Sequence, residues 1–172
     1  SSHITTQVLW KSYLKLYAYS SLYTYSLMTN RILQKLHFGS GGIKKYERAE
    51  IYIQAGHEGR IKGATGTSSP YGLEIEWTPI VADEATRILQ EAGISVIRSN
   101  ADHRKYSIVD LALSIHFDGC VNQCGSGASI GYDDPTDKPA ADEWRNFYSS
   151  YFKHKWHEDN FTRNLSNYYN FK

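Results

Sequence analysis

The sequence predicts an α/β fold: a single domain on a mixed, mostly parallel twisted sheet flanked by helices, with an additional N-terminal helix. Three observations predict it. Ile51-Tyr-Ile-Gln has the alternation of a strand and runs into Ala55-Gly-His57-Glu-Gly59, whose glycines let the backbone turn sharply. A helical stretch from Thr78-Pro79 is followed by a second apolar run, Gly93-Ile-Ser-Val-Ile-Arg98. A third run, Ile108-Val-Asp-Leu-Ala-Leu-Ser-Ile-His116, then gives the order strand, helix, strand, strand that a parallel or mixed sheet requires.

Taken in order, residues 9–28 place Trp10, Tyr13, Leu14, Tyr17 and Ala18 at helical spacing, with Lys11 and Lys15 on another face, and read as an amphipathic helix. A signal peptide competes, since basic residues precede an uncharged run from Leu16 to Met28. That run is interrupted by Ser, Tyr and Thr and ends without a clear small-residue cleavage site. Leu36-His-Phe-Gly39-Ser-Gly-Gly42 is a flexible joint, so residues 1–42 form a helical segment ahead of a domain over 43–172, whose first strand starts near Tyr46.

The stretch from Ile61 to Gly72 has loop composition. Thr78 as N-cap and Pro79 at the first helical position predict a helix to about Ala92, stopped by Gly93, so that Glu74 falls in the entry turn ahead of it. After the strand ending at Arg98 comes a polar loop with His103, for which a solvated histidine is the default. Strand 108–117 delivers His116, Gly127-Ala-Ser-Ile-Gly-Tyr132 is a short strand, and Ala140 to about Phe152 is a helix with Trp144, Tyr148 and Phe152 on one face. Cys120 and Cys124 form a disulfide or stay as two thiols, with zinc ligation a third option that would close the coordination sphere.

The chain of 172 residues is 41% hydrophobic and 22% charged, enough for one well-buried core. With 19 basic and 18 acidic residues the net charge is +1, so no global field draws it to nucleic acid or an anionic membrane. No apolar run approaches the ~20 residues of a spanning helix. The 14 Tyr and 4 Trp suit carbohydrate stacking, yet aromatics at helical spacing are usually core, and the His154-Lys-Trp156-His157 cluster is by default exposed surface rather than a second metal site.

Two strands therefore end in histidine, His57 and His116, and Glu74 and Glu76 offer a carboxylate between them. Two neutral imidazoles and one carboxylate with an open fourth position are the ligands of a catalytic zinc centre. A strand-end histidine taken alone is more often structural, and an acidic pair beside a helix start also suits the helix dipole, the better account of Glu76.

Over roughly residues 48–133 the sequence resembles the zinc-dependent N-acetylmuramoyl-L-alanine amidases that cut bacterial peptidoglycan. The resemblance rests on Ala55-Gly-His57-Glu-Gly59, on Glu74 followed by Val81-Ala82, Ala85 and Ile88-Leu89, on Gly93 to Arg98, and on Ser114-Ile-His116-Phe-Asp118. It selects Glu74 over Glu76 and implies that His57, Glu74 and His116 hold Zn²⁺, which activates water against the amide joining muramic acid to L-alanine. The implied partner is peptidoglycan or its muropeptides. The implied location is the cell wall or periplasm, or host cytoplasm before release if the chain is a phage lysin.

The family's second glutamate, which passes a proton to the departing amine, lies on a strand expected after Asn160–Lys172; no apolar strand with a Glu follows His157, so that residue is either missing from the sequence, with the domain's last strand, or supplied elsewhere. Glu143 and Glu158 are the later glutamates and both read as solvated; no catalytic residue is assigned to the role. Asp118 stands where the family often has Asn and offers a carboxylate to orient a ligand or accept a proton. The long leading helix is an extension of the family pattern or its displaced last helix. Another zinc peptidase of this fold, and a wall-binding form without turnover, stay open beside the amidase.

Overall fold

The computed structural model describes residues 47–61, 63–102, 107–117, 127–132, 134–151, 153 and 155–159, and the backbone of 26–27. The expected helix of residues 9–28 (its last turn excepted), the joint at 36–42, and His103, Asp118, Cys120, Cys124, Phe152 and His154 lie outside these residues.

The elements form an α/β arrangement of helices and small, mostly parallel sheets. Among the described residues the main sheet has four strands in the order β1 (Ser26–Leu27), β8 (Leu111–Ile115), β3 (Ile51–Ala55), β6 (Val96–Ser99). Strand β3 runs parallel to both β6 and β8, and β1 closes the far edge antiparallel to β8 through Ser26↔Ser114 and Leu27↔Leu113. At Ser26–Leu27 the expected helix is thus replaced by a strand. The edge of β8 carries a row of backbone groups in need of partners, and that demand overrides a helical side-chain period. Two-stranded pairings complete the rest: β2 (Glu47–Arg48) with β7 (Ser107–Ile108), β4 (Ser68–Ser69) with β5 (Gly72–Leu73), and β9 (Gly127–Ala128) with β10 (Lys155–Trp156). The strand expected over 127–132 is therefore limited to its first two residues.

Helix α1 (Glu74–Glu91) links β3 to β6, and α2 (Lys138–Ser149) follows a 3-10 turn at Pro135–Asp137. The two helices pack on one face of the sheet. There Ile51, Ile53 and Ala55 of β3 and Leu113 and Ile115 of β8 meet Val81, Ala82, Ala85 and Leu89 of α1, with Ala141, Trp144 and Tyr148 of α2 in the same core. Alternation sends Tyr52 and Ala112 to the opposite face, where they join Val109. Both faces are buried along β3, as befits a central parallel strand. Among the described residues no helix is long and apolar enough to cross a membrane.

Helix α1 starts five residues earlier than its sequence suggests, at Glu74 rather than Pro79. Thr78 does not cap it; its hydroxyl donates to the Gly56 carbonyl at 2.6 Å, tying the helix to the end of β3. Glu76 supplies the cap, its side chain accepting from the Leu73 N–H at 2.8 Å, and Pro79 is carried inside the helix at the loss of one backbone bond. Glu74 is therefore the first helical residue rather than part of an entry turn. At the other end Gly93 takes φ 80°, and the N–H groups of Gly93 and Ile94 bond the carbonyls of Gln90 and Leu89. This is the Schellman ending that Gly93 predicts.

Candidate metal centre

The register of β3 and β8 brings the two histidines together. Ala55 pairs with Ile115, the Gly56 N–H bonds the Ile115 carbonyl at 2.9 Å, and His57 and His116 follow at the carboxyl ends of adjacent parallel strands. Open α/β sheets bind their ligands at this end. Glu74 arrives from a third element. The buried stripe of α1 runs Glu74, Thr78, Val81, Ala82, Ala85, Leu89, so the period that buries the apolar residues against the sheet aims Glu74 over the strand ends one turn earlier.

The three side chains form one group whose ligand atoms all lie within 4.8 Å of one another, the one group of its kind among the described residues. Glu74 Oε1 is 3.0 Å from His116 Nδ1 and 3.6 Å from His57 Nε2. Tetrahedral ligands at zinc-like bond lengths stand about 3.3 Å apart, close to the two spacings that Glu74 makes with the histidines. The imidazole rings are 5.2 Å apart and nearly perpendicular, at 84°.

Each ligand is oriented by what surrounds it. His57 Nδ1 lies 2.7 Å from the Ala64 carbonyl, which can only accept, so the proton belongs on Nδ1 and the Nε2 lone pair is left for a metal. Glu74 Oε1 accepts from the Phe117 N–H at 2.9 Å, and Oε2 from the Thr67 N–H at 2.9 Å. Burial pushes the Glu74 carboxyl up, but hydrogen bonding and charge from His116, with the Thr67 and Phe117 N–H groups, outweigh it and hold the group below its usual range. It is thus an anion ready to ligate.

The loop before the helix completes the cradle. Thr67 reaches across to the Phe117 carbonyl at 2.5 Å and exchanges backbone contact with Glu74, whose N–H bonds the Thr67 carbonyl at 2.9 Å. A Cβ on Gly66 would lie 2.2 Å from Glu74 Oε2 and 2.8 Å from His57 Cδ2, and one on Gly56 would lie 2.3 Å from His116 Cε1. Neither glycine has room for a side chain beside the ligands. His57 itself is the one non-glycine with positive φ, 63°, among the described residues. Such a conformation is strained and belongs to sites where the surroundings over-determine it. The His57–Glu74–His116 group can hold a metal ion, and His57, with its side chain 22% exposed against 7% for His116 and 2% for Glu74, marks the side open to solvent.

Glu76 does not join the group, being occupied at the helix cap. Replacing it separates the two acids: Glu76→Ala is expected to cost about 1 kcal/mol of stability, the value of a lost cap, and to leave metal affinity unchanged. Urea unfolding and chelator competition measure the two effects. Glu143 is half-buried on α2 and Glu158 is exposed after β10, neither within the group, and His157 packs at Gly127, away from it. The sequence marks Gly56 through the glycines that flank His57 and marks Ala64, Gly66 and Thr67 only as parts of a glycine-rich loop ahead of Glu74; their individual contacts to the group have no local signature. No family model, curated protein or solved structure matches this chain.

Proposed function

We propose that the chain is a zinc-dependent hydrolase that cleaves the amide between N-acetylmuramic acid and L-alanine in peptidoglycan. The observation that carries the hydrolase part is the convergence of His57, Glu74 and His116 on one point at the open end of the sheet, with solvent on one side. Two imidazoles and a carboxylate are a donor set that suits zinc and leaves a coordination position for water. When bound, such an ion supplies Lewis acidity that polarises a carbonyl and makes water a nucleophile near neutral pH.

The protein's own part is to fix that chemistry in place. Glu74 brings a full negative charge, held by two backbone N–H groups, and His57 is turned by the Ala64 carbonyl so that Nε2 faces the carboxylate. Glu74 and His116 are both buried and His57 is the most exposed of the three, so the substrate has to approach from the His57 side. The choice of a muramoyl amide rests on the ordered motifs about His57, Glu74 and Ser114-Ile-His116. On that choice the protein acts outside the cytoplasm in the wall or periplasm, or as a lysin released from the host.

The test is release of L-alanine amino groups from purified peptidoglycan by zinc-loaded protein, with His116→Ala beside it. Muramic acid ends and new amino groups appearing together, only with zinc and His116 present, are the expected result. Cleavage between amino acids instead would make the protein a zinc peptidase. Bound zinc with no cleavage would make it a wall-binding form, an outcome that the positions of Glu143 and Glu158 outside the group keep in view.

A further inference from the structure

We propose that Arg98 is a positioning residue for the metal centre: through Glu58 and Asp83 it locks the turn that presents His57 to the helix that presents Glu74, and so sets how tightly and in what geometry an ion is held. The inference rests on the His57–Glu74–His116 group being a metal site.

His57 holds a left-handed backbone conformation that a non-glycine residue keeps only under constraint. The constraint is visible on the far side of the turn. Glu58, the next residue, accepts a two-pronged contact from Arg98, Nη1 to Oε2 at 2.7 Å and Nη2 to Oε1 at 3.1 Å. The Glu58 carbonyl also accepts from the Ala101 N–H at 3.2 Å, and the Arg60 N–H closes the turn onto the His57 carbonyl at 3.0 Å. Two residues beyond Glu58, Arg60 donates to Asp102 Oδ1 through Nε at 3.2 Å and Nη2 at 3.0 Å. The whole turn is fastened to the end of β6 and the loop beyond it.

Arg98 extends the fastening to α1. Its Nε donates to Asp83 Oδ1 at 2.8 Å, and Nη1 also donates to the Ser99 carbonyl at 2.5 Å. One planar guanidinium thus joins the first ligand's turn, its own strand and the helix that begins with Glu74. In the sheet Arg98 stands in register with Ile53, at the level where β3 is about to release its chain into the turn. An exposed ion pair would add little, and Asp83 is 67% exposed, but the Glu58 arm of the fork is half-buried, its side chains 19% and 30% exposed, and the guanidinium's geometry is planar and directional. A lysine could keep the charge and still not span Glu58 and Asp83 together.

Cobalt(II) binding and zinc competition against a chromophoric chelator test this on the full chain, alongside urea unfolding of the metal-free protein. Arg98→Lys and Glu58→Gln are expected to weaken metal affinity by about 10- to 100-fold, the usual effect of losing a group that orients a ligand, and to change the cobalt visible spectrum. Arg87→Ala, which breaks a comparable pair of contacts to Glu84 and Glu91 on the exposed side of α1, is expected to leave affinity and spectrum as in the wild type. Lower unfolding midpoints in Arg98→Lys and Glu58→Gln with wild-type affinity and spectrum would show a structural ion pair only and overturn the proposal. Should Arg98→Lys fail to fold, Glu58→Gln carries the same comparison. A wild-type chain that takes up neither metal would overturn the metal site and the proposal together, whereas a wild type that binds while the variants match it overturns the proposal alone.

Discussion

His116→Ala is expected to abolish stoichiometric metal binding at micromolar concentrations. His116 is buried in the site, 6% exposed, with Nδ1 3.0 Å from the Glu74 oxygen that also faces His57. Without it two protein ligands remain, and no other histidine or carboxylate among the described residues belongs to the group. A structural zinc site with four ligands binds with an apparent ~10–16 kcal/mol. Losing one of three ligands therefore costs roughly 3–5 kcal/mol, or about two to four orders of magnitude in affinity. The folded chain should survive, because Glu74 keeps its contacts to the Thr67 and Phe117 N–H groups. Isothermal titration with zinc, and the circular dichroism of the same sample, separate loss of metal from loss of fold. Unchanged affinity would remove His116 from the site.

The second large effect is expected from Gly66→Ala, measured against Gly63→Ala. Both glycines have positive φ, 79° and 90°, so both substitutions carry the backbone cost of a left-handed L-residue, about 1–2 kcal/mol. They differ in what the new methyl group meets. At Gly63 there is nothing within 4 Å, while at Gly66 it would press on Glu74 Oε2 at 2.2 Å and on the His57 ring at 2.8 Å. The carboxylate is held by two N–H groups and cannot swing aside without leaving them, so the clash is relieved by displacing the ligands. Gly66→Ala should therefore lose a further ~1–3 kcal/mol as an overpacked site does, and with it most of the metal affinity. Gly63→Ala should retain metal at wild-type strength. Equal metal affinity in the two variants would mean that the loop does not form the wall of the site.

The histidines were legible in the sequence because their signal is local: an apolar alternation, a glycine and a polar residue mark the end of a buried strand at both His57 and His116. That the two strands are neighbours, which is what joins the histidines, is a matter of sheet order and has no local signature. Glu74 falls in the same group as the two histidines, but as the first residue of a helix rather than in an entry turn. Thr78-Pro79 has the chemistry of a helix start, and only the fold reveals that the Thr78 hydroxyl is needed at the Gly56 carbonyl and that Glu76 performs the capping. Gly66 is legible only as part of a loop, whereas its reason, the absence of room beside Glu74 and His57, depends on three segments meeting. The Arg98 fork was invisible for the same cause: Glu58, Asp83 and Arg98 are far apart in the chain and are brought together by the β3–α1–β6 unit. At Ser26–Leu27 helical periodicity misled, since strand pairing with β8 decides the conformation there.

X-ray absorption at the zinc edge of the zinc-loaded 172-residue chain is the most direct test of the metal centre. The arrangement of His57, Glu74 and His116 predicts one zinc per chain with only nitrogen and oxygen neighbours at about 2.0–2.2 Å, two of them imidazoles with their outer-ring scattering. That signal should vanish in His116→Ala. A sulfur neighbour near ~2.3 Å would show instead that Cys120 or Cys124 ligates the ion, and a chain that holds no zinc would contradict the account.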